Sequence, residues 1–314
     1  MVSVIITAFK ESRSVPKAVE RLVSPRYNNY KKPFELLIVC PDRETWKAAK
    51  KVAEKNSFET IRHIKDPGKG KPRALNKAFK EARGNILILT DGDVFFGKNV
   101  ISKLSRHFRD KKIGGVTGRP ISRGNKDSFM QFANHFYADV AHHKRLVTMI
   151  KGVRGHSLKI VSKEPGFFVL SGYISAIRNV IEKIPEDCLA DDAYISYILH
   201  NKGYKLAYEP EAHVFVKYAQ HIKDWYKQKL RSVGGYVQLW KYGVITKETK
   251  VRNFRRELEY ALWFPIHYVK NVKEAWWAFL LYPTRLWLWI QIFWQQKVRK
   301  KSFDKTWVRI ESTK

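Results

Sequence analysis

The sequence predicts an α/β fold with a mostly parallel, Rossmann-like sheet and flanking helices. Short apolar runs typical of buried strands alternate with amphipathic helical segments up to about residue 120. Glycine, proline and charged residues separate these segments. The length of 314 residues is enough for one large α/β domain with an appendage.

Each element follows from the spacing of its apolar residues. Continuous apolar runs predict strands at Val2–Ile6, Phe34–Val39, Thr60–Ile64, Asn85–Thr90, Gly114–Thr117, Phe167–Ile177 and Lys205–Tyr208. Apolar residues three or four positions apart predict a helix opened by Glu11–Pro16, and helices at Glu44–Lys55, Arg73–Ala82, Val100–Phe108, Phe129–Val147 and Asp191–Asn201. We expect Asp66–Pro72 to be a loop and Gly152–Lys163 to be mobile. Because strands and helices alternate, right-handed crossovers should join the strands.

The last third of the chain has a different composition. His221–Trp240 is predicted to be a basic amphipathic helix, since apolar residues recur at helical spacing opposite several lysines. Leu258–Val269 and Ala275–Trp294 are rich in large apolar residues, and we expect Pro283 to interrupt the second. We therefore divide the chain into an α/β domain (1–218), an amphipathic interface helix (219–245) and an aromatic, basic C-terminal region (246–314).

The bulk charge indicates an anionic partner. The chain has 60 Lys and Arg against 29 Asp and Glu, a formal net charge of +31. Nucleic acid, an acidic membrane face or phosphorylated substrates would each suit this excess. Cys40 and Cys188 are too few for a disulfide framework, so we expect both to be reduced in a core, as in a cytosolic domain. Met1–Thr7 has no basic leader and is predicted to be a strand rather than a signal peptide.

Two aspartates follow the strand at Asn85–Thr90, namely Asp91 and Asp93, with Gly92 between them. Ligands of open α/β sheets bind at the carboxyl ends of strands, and carboxylate oxygens suit Mg²⁺ or Mn²⁺. Two aspartates flanking a glycine also describe an ordinary turn. The preceding strand and the α/β pattern favour a metal that would bridge a nucleoside diphosphate and neutralise it as a leaving group.

A second acidic pair, Asp191 and Asp192, opens a predicted helix. Acidic residues in a first turn commonly complement the helix dipole, and a general base that deprotonates a hydroxyl is the functional alternative. Since the pair follows a metal-type acidic pair, we favour catalysis.

Three further features are weaker indications of function when each is considered alone. Gly68–Arg73 is a basic, glycine-rich loop that could receive phosphate, although it lacks P-loop spacing and could equally be a solvated turn. Gln228 and Arg231 face the same side of a helix, where the planar fork of arginine suits a diphosphate; an exposed basic face is the alternative. His213 is a candidate metal ligand or a structural histidine, and no His or Cys spacing matches a zinc site.

Taken together and in order, these segments resemble the inverting glycosyltransferases of family 2, which have a GT-A fold. The matching segments are Val4–Glu11, Glu35–Val39, Gly68–Asn76, Thr90–Asp93, Gly172–Arg178, Asp191–Asp192 and Gly203–Ala212. The resemblance implies that nucleobase and ribose are held by Thr7, Ala8, Phe9, Glu11 and Asp42. It also implies a metal on Asp91 and Asp93, with Asp192 as general base beside Asp191. The family usually has an acidic pair after its second strand, where this chain has Cys40-Pro41-Asp42.

The C-terminal region is similar to the interface and membrane helices of membrane-bound family members. Gln228-x-x-Arg231 resembles the Q-x-x-R-W element of cellulose-synthase-like enzymes, but Ser232 replaces the tryptophan and weakens an assignment to processive synthesis. Both apolar segments are short for a bilayer core of about 30 Å. We expect them at the headgroup level or in a shallow hairpin, with a helical subdomain packed on the sheet as the alternative.

The expected function is a membrane-associated glycosyltransferase at the cytoplasmic face of the cell membrane. It would transfer a sugar, with inversion, from GDP-mannose or a UDP-sugar to a lipid-linked or glycan acceptor. Mn²⁺ or Mg²⁺, Lys71 and Arg231 would stabilise the departing diphosphate. The alternatives are a processive polysaccharide synthase of the same family, a relative that binds without catalysis, and a nucleic-acid-binding protein. A nucleic-acid-binding function does not explain two acidic pairs at strand and helix ends, so we expect no nucleic acid partner.

Overall fold

The computed structural model describes residues 1–149, 167–245 and 263–294. In these ranges one mixed sheet has the strand order β3-β2-β1-β4-β7-β6-β8-β5. Its strands are β1 (Val2–Thr7), β2 (Phe34–Val39), β3 (Ile61–Ile64), β4 (Ile86–Asp91), β5 (Phe95–Phe96), β6 (Ile113–Ser122), β7 (Ile174–Arg178) and β8 (Lys205–Val216). The predicted α/β fold is confirmed.

The helices flank this sheet. They are α1 (Val15–Val23), α2 (Arg43–Lys55), α3 (Lys71–Glu81), α4 (Val100–Ser105), α5 (Phe129–Met149), α6 (Asp191–Asn201), α7 (Ile222–Lys241) and α8 (Val272–Phe293). A 3-10 turn, Arg106–Arg109, follows α4, and residues 263–268 are also helical.

The parallel part of the sheet positions the site. β1 pairs in parallel with β2 and β4, and β2 pairs in parallel with β3. In this register Thr7 lies opposite both Val39 and Asp91, and Val39 lies opposite Ile64. The carboxyl ends of all four strands therefore meet at one edge. β7 runs antiparallel between β4 and β6 and adds the other half of the sheet.

Both faces of the sheet are covered, which explains the continuous apolar runs. Successive side chains of a strand point to opposite faces. Val4 and Ile6 pack with residues of α1 and α2, whereas Ile5 packs with residues of α3 and α6. Strands buried on both faces lose the alternation of apolar and polar residues. Cys40 and Cys188 are free and buried, as expected.

Several predicted boundaries are wrong. α3 begins at Lys71 instead of Arg73, because a proline fits the first helical turn and Pro72 stands there. The predicted strand Phe167–Ile177 begins too early, since β7 starts at Ile174 and only an isolated bridge at Ser171 precedes it. β6 and β8 run further than predicted, and the two-residue β5 was missed. Cross-strand pairing that sets such ends is not visible in a local pattern.

Pro283 does not interrupt the last helix, contrary to expectation. α8 runs from Val272 to Phe293 with Pro283 inside. Buried residues on both sides of the proline, Leu281 and Leu288, pack into two apolar clusters with residues of α5 and α7. We attribute the continuity to this packing, which offsets the loss of one backbone hydrogen bond.

The remaining C-terminal predictions are only partly described. Of the predicted segment Leu258–Val269, residues 263–268 are helical and the first five residues lie outside the described ranges, as does Gly152–Lys163. None of the described helices is both long and apolar enough to span a membrane.

Candidate active site

A cavity with a volume of 480 Å³ opens at the carboxyl ends of the parallel strands. It brings together most of the predicted site residues, which are Thr7, Ala8, Phe9, Glu11, Lys71, Asp91, Asp93, Asp191, Asp192, Gln228 and Arg231. We call Asp91, Asp93, Asp191 and Asp192 the carboxylate cluster. Strand ends, a helix start and a distant helix thus contribute to one site.

Two predicted site residues, Asp42 and His213, are not among those lining the cavity. Asp42 caps α2, since its carboxylate accepts hydrogen bonds from the backbone N–H groups of Thr45 (2.8 Å) and Lys10 (3.0 Å). Burial would raise the pKa of Asp42, but these hydrogen bonds lower it. His213 lies on β8, where its carbonyl accepts from Gly97 N–H at 2.8 Å. Their roles in nucleotide and metal binding stay predictions.

Lys71 joins the two acidic pairs. Its Nζ lies 2.7 Å from Asp91 Oδ1 and 3.9 Å from Asp191 Oδ2. It also donates to the Gly172 carbonyl at 3.3 Å. Burial would lower the pKa of Lys71, but the charges of Asp91 and Asp191 outweigh burial and raise it. A permanent positive charge therefore sits between the end of β4 and the start of α6.

Asp192 lies in the first turn of α6, where Oδ1 accepts from Ala193 N–H at 2.8 Å. Burial, together with the charge of Asp191, raises the pKa of Asp192 to about 6. A Cβ atom at Gly172 would lie 3.0 Å from Asp192 Oδ2, so the glycine keeps this side of the carboxylate open. A carboxylate with this pKa can accept a proton near neutral pH.

Asp91 and Asp93 provide hard oxygen ligands at the cavity. The Asp91 carboxylate accepts from Thr7 Oγ1 and contacts the Lys71 ammonium, both at 2.7 Å, so it already binds positive charge. The described residues contain no cluster of three or more His, Cys, Asp and Glu placed to hold a metal. Mg²⁺-like ions need few protein ligands when substrate phosphates and water supply the rest. The pair therefore fits a metal shared with a phosphate group and not an all-protein site.

Asp66 is a cavity residue that sequence reasoning missed. One carboxylate oxygen accepts from Gly68 N–H at 2.9 Å, and the other is buried without a hydrogen-bond partner in the described ranges. Burial raises the pKa of Asp66. Its position just after β3, at the same edge of the sheet as Asp91, could have identified it as a site residue. A buried acceptor of this kind favours a ligand that donates an N–H.

The lining residues from α5, α7 and the segment after β8 are mainly basic and aromatic. Arg145 from α5, Lys217 just after β8 and Lys229 from α7 form what we call the cationic wall. Tyr137 and Trp225 lie beside it, with stacked rings 5.8 Å apart. In the described part of the chain, the lining residues of α5, α7 and this β8 segment include no acidic residue. The sequence indicated this surface only through the basic residues that recur along the predicted amphipathic helix, now α7.

Sequence comparisons place these features in a family. A profile of the family described as Glycosyltransferase like family 2 matches residues 1–235. The poly-beta-1,6-N-acetyl-D-glucosamine synthase of Staphylococcus aureus is 25% identical over 252 residues, which cover 79% of this chain and 58% of that protein. The probable glycosyltransferase YdaM of Bacillus subtilis is 26% identical over 249 residues, which cover 74% of this chain and 54% of that protein. The chain thus spans little more than half the length of these relatives.

A solved structure extends the likeness to the fold. The mannosyltransferase PcManGT from Pyrobaculum calidifontis, in complex with GDP-Man and Mn2+, aligns with a TM-score of 0.58 at 16% identity. The alignment covers 97% of this chain and 83% of that chain. This likeness concerns the fold, and it confirms the predicted GT-A arrangement.

Proposed function

The chain belongs to glycosyltransferase-like family 2, and from that premise we propose that it transfers a sugar, with inversion, from a nucleoside diphosphate sugar to an acceptor hydroxyl. The observation that carries the proposal is the position of Lys71 between Asp91 and Asp191, next to Asp192. A cation for the diphosphate and a carboxylate for the acceptor proton thus line one cavity. The relatives' names support a sugar transfer, and the complex of PcManGT with GDP-Man and Mn2+ supports a nucleotide sugar and a divalent metal.

The diphosphate of the donor would lie at the carboxyl ends of β1 and β4. Lys71 and Arg231 supply positive charge there, and guanidinium and ammonium groups both bind phosphate oxygens. A Mn²⁺ or Mg²⁺ ion held by Asp91 and Asp93 would neutralise further charge on the diphosphate. Stabilising the leaving group in this way lowers the barrier of the transfer.

Asp192 is the proposed general base. The acceptor oxygen attacks the anomeric carbon from the face opposite the diphosphate, and the hydroxyl proton passes to the Asp192 carboxylate. As the new C–O bond forms, the bond to the diphosphate oxygen breaks, and the electron pair leaves with the diphosphate. A single displacement inverts the anomeric centre. With a pKa of about 6, most Asp192 is ionised at neutral pH and available for this proton.

The nucleobase pocket is formed by the loop after β1 together with Asp66. Thr7, Ala8, Phe9 and Glu11 line this part of the cavity. Uracil and guanine both present a ring N–H on their pairing edge, and the unpartnered Asp66 oxygen could accept it. A hydrogen bond from the nucleobase would then satisfy this buried acceptor, which otherwise costs free energy.

A thermal-shift panel tests the proposed function. UDP-, GDP- and dTDP-sugars are added with and without Mn²⁺, and we expect one nucleotide to raise the melting temperature in a metal-dependent manner. Asp66→Asn should weaken that shift, because its carboxamide adds an N–H donor next to the base edge. Asp127→Asn, an exposed site, is the matched control. No metal-dependent shift with any of the three nucleotides would contradict the proposal.

We also propose that the enzyme works at the cytoplasmic face of a membrane, on a lipid-linked or glycan acceptor. One side of α8 exposes a continuous apolar stripe, which consists of Val272, Trp276, Phe279, Leu286, Trp287, Ile290 and, just after the helix, Trp294. Exposed apolar patches of this size usually mark an interaction surface, and tryptophan is enriched at membrane interfaces. The net charge of +31 suits an acidic lipid surface.

A further inference from the structure

We propose that the cationic wall binds a phosphate group of the acceptor, so that this enzyme glycosylates a phosphate-bearing molecule. The inference rests on the proposed function, since it assigns cavity residues that the donor does not use. It follows from three observations on the described part of the chain: an arginine with no hydrogen bond or ion pair, a lysine placed over two aromatic rings, and cavity-lining segments that contain no acidic residue.

Arg145 is the central observation. It lines the cavity from the last turns of α5, and in the described part of the chain it forms no hydrogen bond or ion pair. Its guanidinium lies 5.9 Å from the centroid of the Tyr208 ring. Burial lowers the pKa of Arg145, although an arginine remains charged at any ordinary pH. Because partly buried charges are normally paired, this one favours an anionic ligand in the cavity.

Lys229 is positioned by aromatic residues. Its Nζ lies 5.2 Å from the Tyr137 centroid and 5.7 Å from the Trp225 centroid. Cation–π contacts of this length help to position an ammonium group. The two rings also offer apolar faces beside the charge, as a sugar ring or a lipid chain would require.

Acidic residues of the same helices point elsewhere. Asp139 of α5 pairs with Arg119 at 3.1 Å and accepts from the Tyr268 hydroxyl at 3.0 Å. Asp224 of α7 pairs with Lys227 at 3.6 Å. Neither aspartate lines the cavity. Arg145, Lys217 and Lys229 therefore concentrate positive charge on one side, which suits a phosphate monoester of nearly two negative charges.

The position of the wall assigns the phosphate to the acceptor. The donor diphosphate already has Lys71 of α3, with Asp91 and Asp93 at the end of β4, and these come from other elements than the wall. The charge of Asp192 acts on Arg145, so the two side chains lie within electrostatic reach of each other. An acceptor held by its phosphate at Arg145 could therefore present a nearby hydroxyl to Asp192.

Isothermal titration of matched ligand pairs tests this assignment. The full chain is first saturated with its nucleoside diphosphate and Mn²⁺, so that the diphosphate site is filled. Glucose 6-phosphate is compared with glucose, and a short-chain lysophosphatidate with the corresponding monoacylglycerol. We expect the phosphorylated member of at least one pair to bind at least about tenfold more tightly than its neutral partner. The pair that shows the difference tells whether the phosphate belongs to a soluble sugar or to a lipid.

Variants separate this site from general charge effects. Arg145→Gln should abolish the preference for phosphate, Arg145→Lys should retain part of it, and Arg109→Gln, an exposed arginine outside the cavity, should leave it unchanged. A nucleotide-dependent thermal shift like that of the wild type shows that each variant is folded. Equal binding of both members in each pair, no phosphate binding up to about 10 mM, or wild-type preference in Arg145→Gln would overturn the inference. If no nucleotide binds at the first step, the proposed function itself fails.

Discussion

The carboxylate cluster and the cationic wall line the same cavity, yet they arise in different ways. The cluster lies at strand and helix ends, where parallel register brings Thr7 and Asp91 to the same edge. The wall is built from helix surfaces and a segment after β8 that meet only through long-range packing. Chemistry at strand ends can therefore be inferred from sequence, whereas the wall depends on which helix face packs inward.

The two regions also differ in charge and therefore suit different ligands. Carboxylates suit metal binding and proton transfer, and Lys71 among them keeps that side from being purely acidic. Among the described residues, the lining positions that form the wall are basic, aromatic or neutral, so this surface suits anions. Substitutions in the cluster should therefore change the rate of transfer, whereas substitutions in the wall should change ligand affinity.

The largest effect is expected at Asp192. Asp192→Asn should lower turnover by about a thousandfold, because the carboxamide cannot accept the hydroxyl proton. The measurement is release of nucleoside diphosphate from the donor, with water as the acceptor. The wild-type rate should fall as the pH drops through about 6, since protonation of Asp192 removes the base. Nucleotide-dependent thermal shifts should persist, and substantial residual turnover would rule out Asp192 as the base.

Asp191→Asn provides the matched comparison. Because the charge of Asp191 helps to raise the pKa of Asp192, removing it should lower that pKa. The acid limb of the pH–rate profile should then move to lower pH while turnover at neutral pH falls less than in Asp192→Asn. If the acid limb stays at the same pH, it reflects the protonation of a group other than Asp192.

The sequence was most informative where function follows from strand ends. Asp91, Asp93 and Asp192 line the cavity, and they could be singled out because an apolar strand and a helix start were recognisable around them; their roles stay predictions. Asp66 was missed, since a single aspartate opening a loop has many explanations. Arg145 was missed because its sequence neighbours in α5 do not reveal that its side chain lines the cavity. The family membership also argues against the nucleic-acid-binding alternative that the net charge had left open.

Lys71 should give the second largest effect. Lys71→Gln should lower turnover by about a hundredfold, because the departing diphosphate loses a fixed positive charge. Lys69→Gln is the control, since Lys69 is exposed in the same loop and does not line the cavity. Steady-state assays of donor hydrolysis measure both. Equal losses in the two variants would show that Lys71 acts only through the general charge of the loop.

The smallest effect on chemistry is expected from α8, which lies outside both regions. Trp276 and Leu286 are 59% and 63% exposed on the apolar stripe, so replacing both with serine should cost the fold little. It should reduce binding to acidic phospholipid vesicles by about tenfold or more, because apolar area no longer enters the interface. Co-sedimentation with vesicles measures the loss, and donor hydrolysis in solution should stay within about twofold of the wild type. Undiminished vesicle binding would remove α8 as the membrane contact, and a comparable fall in hydrolysis would show that the helix supports the cavity instead.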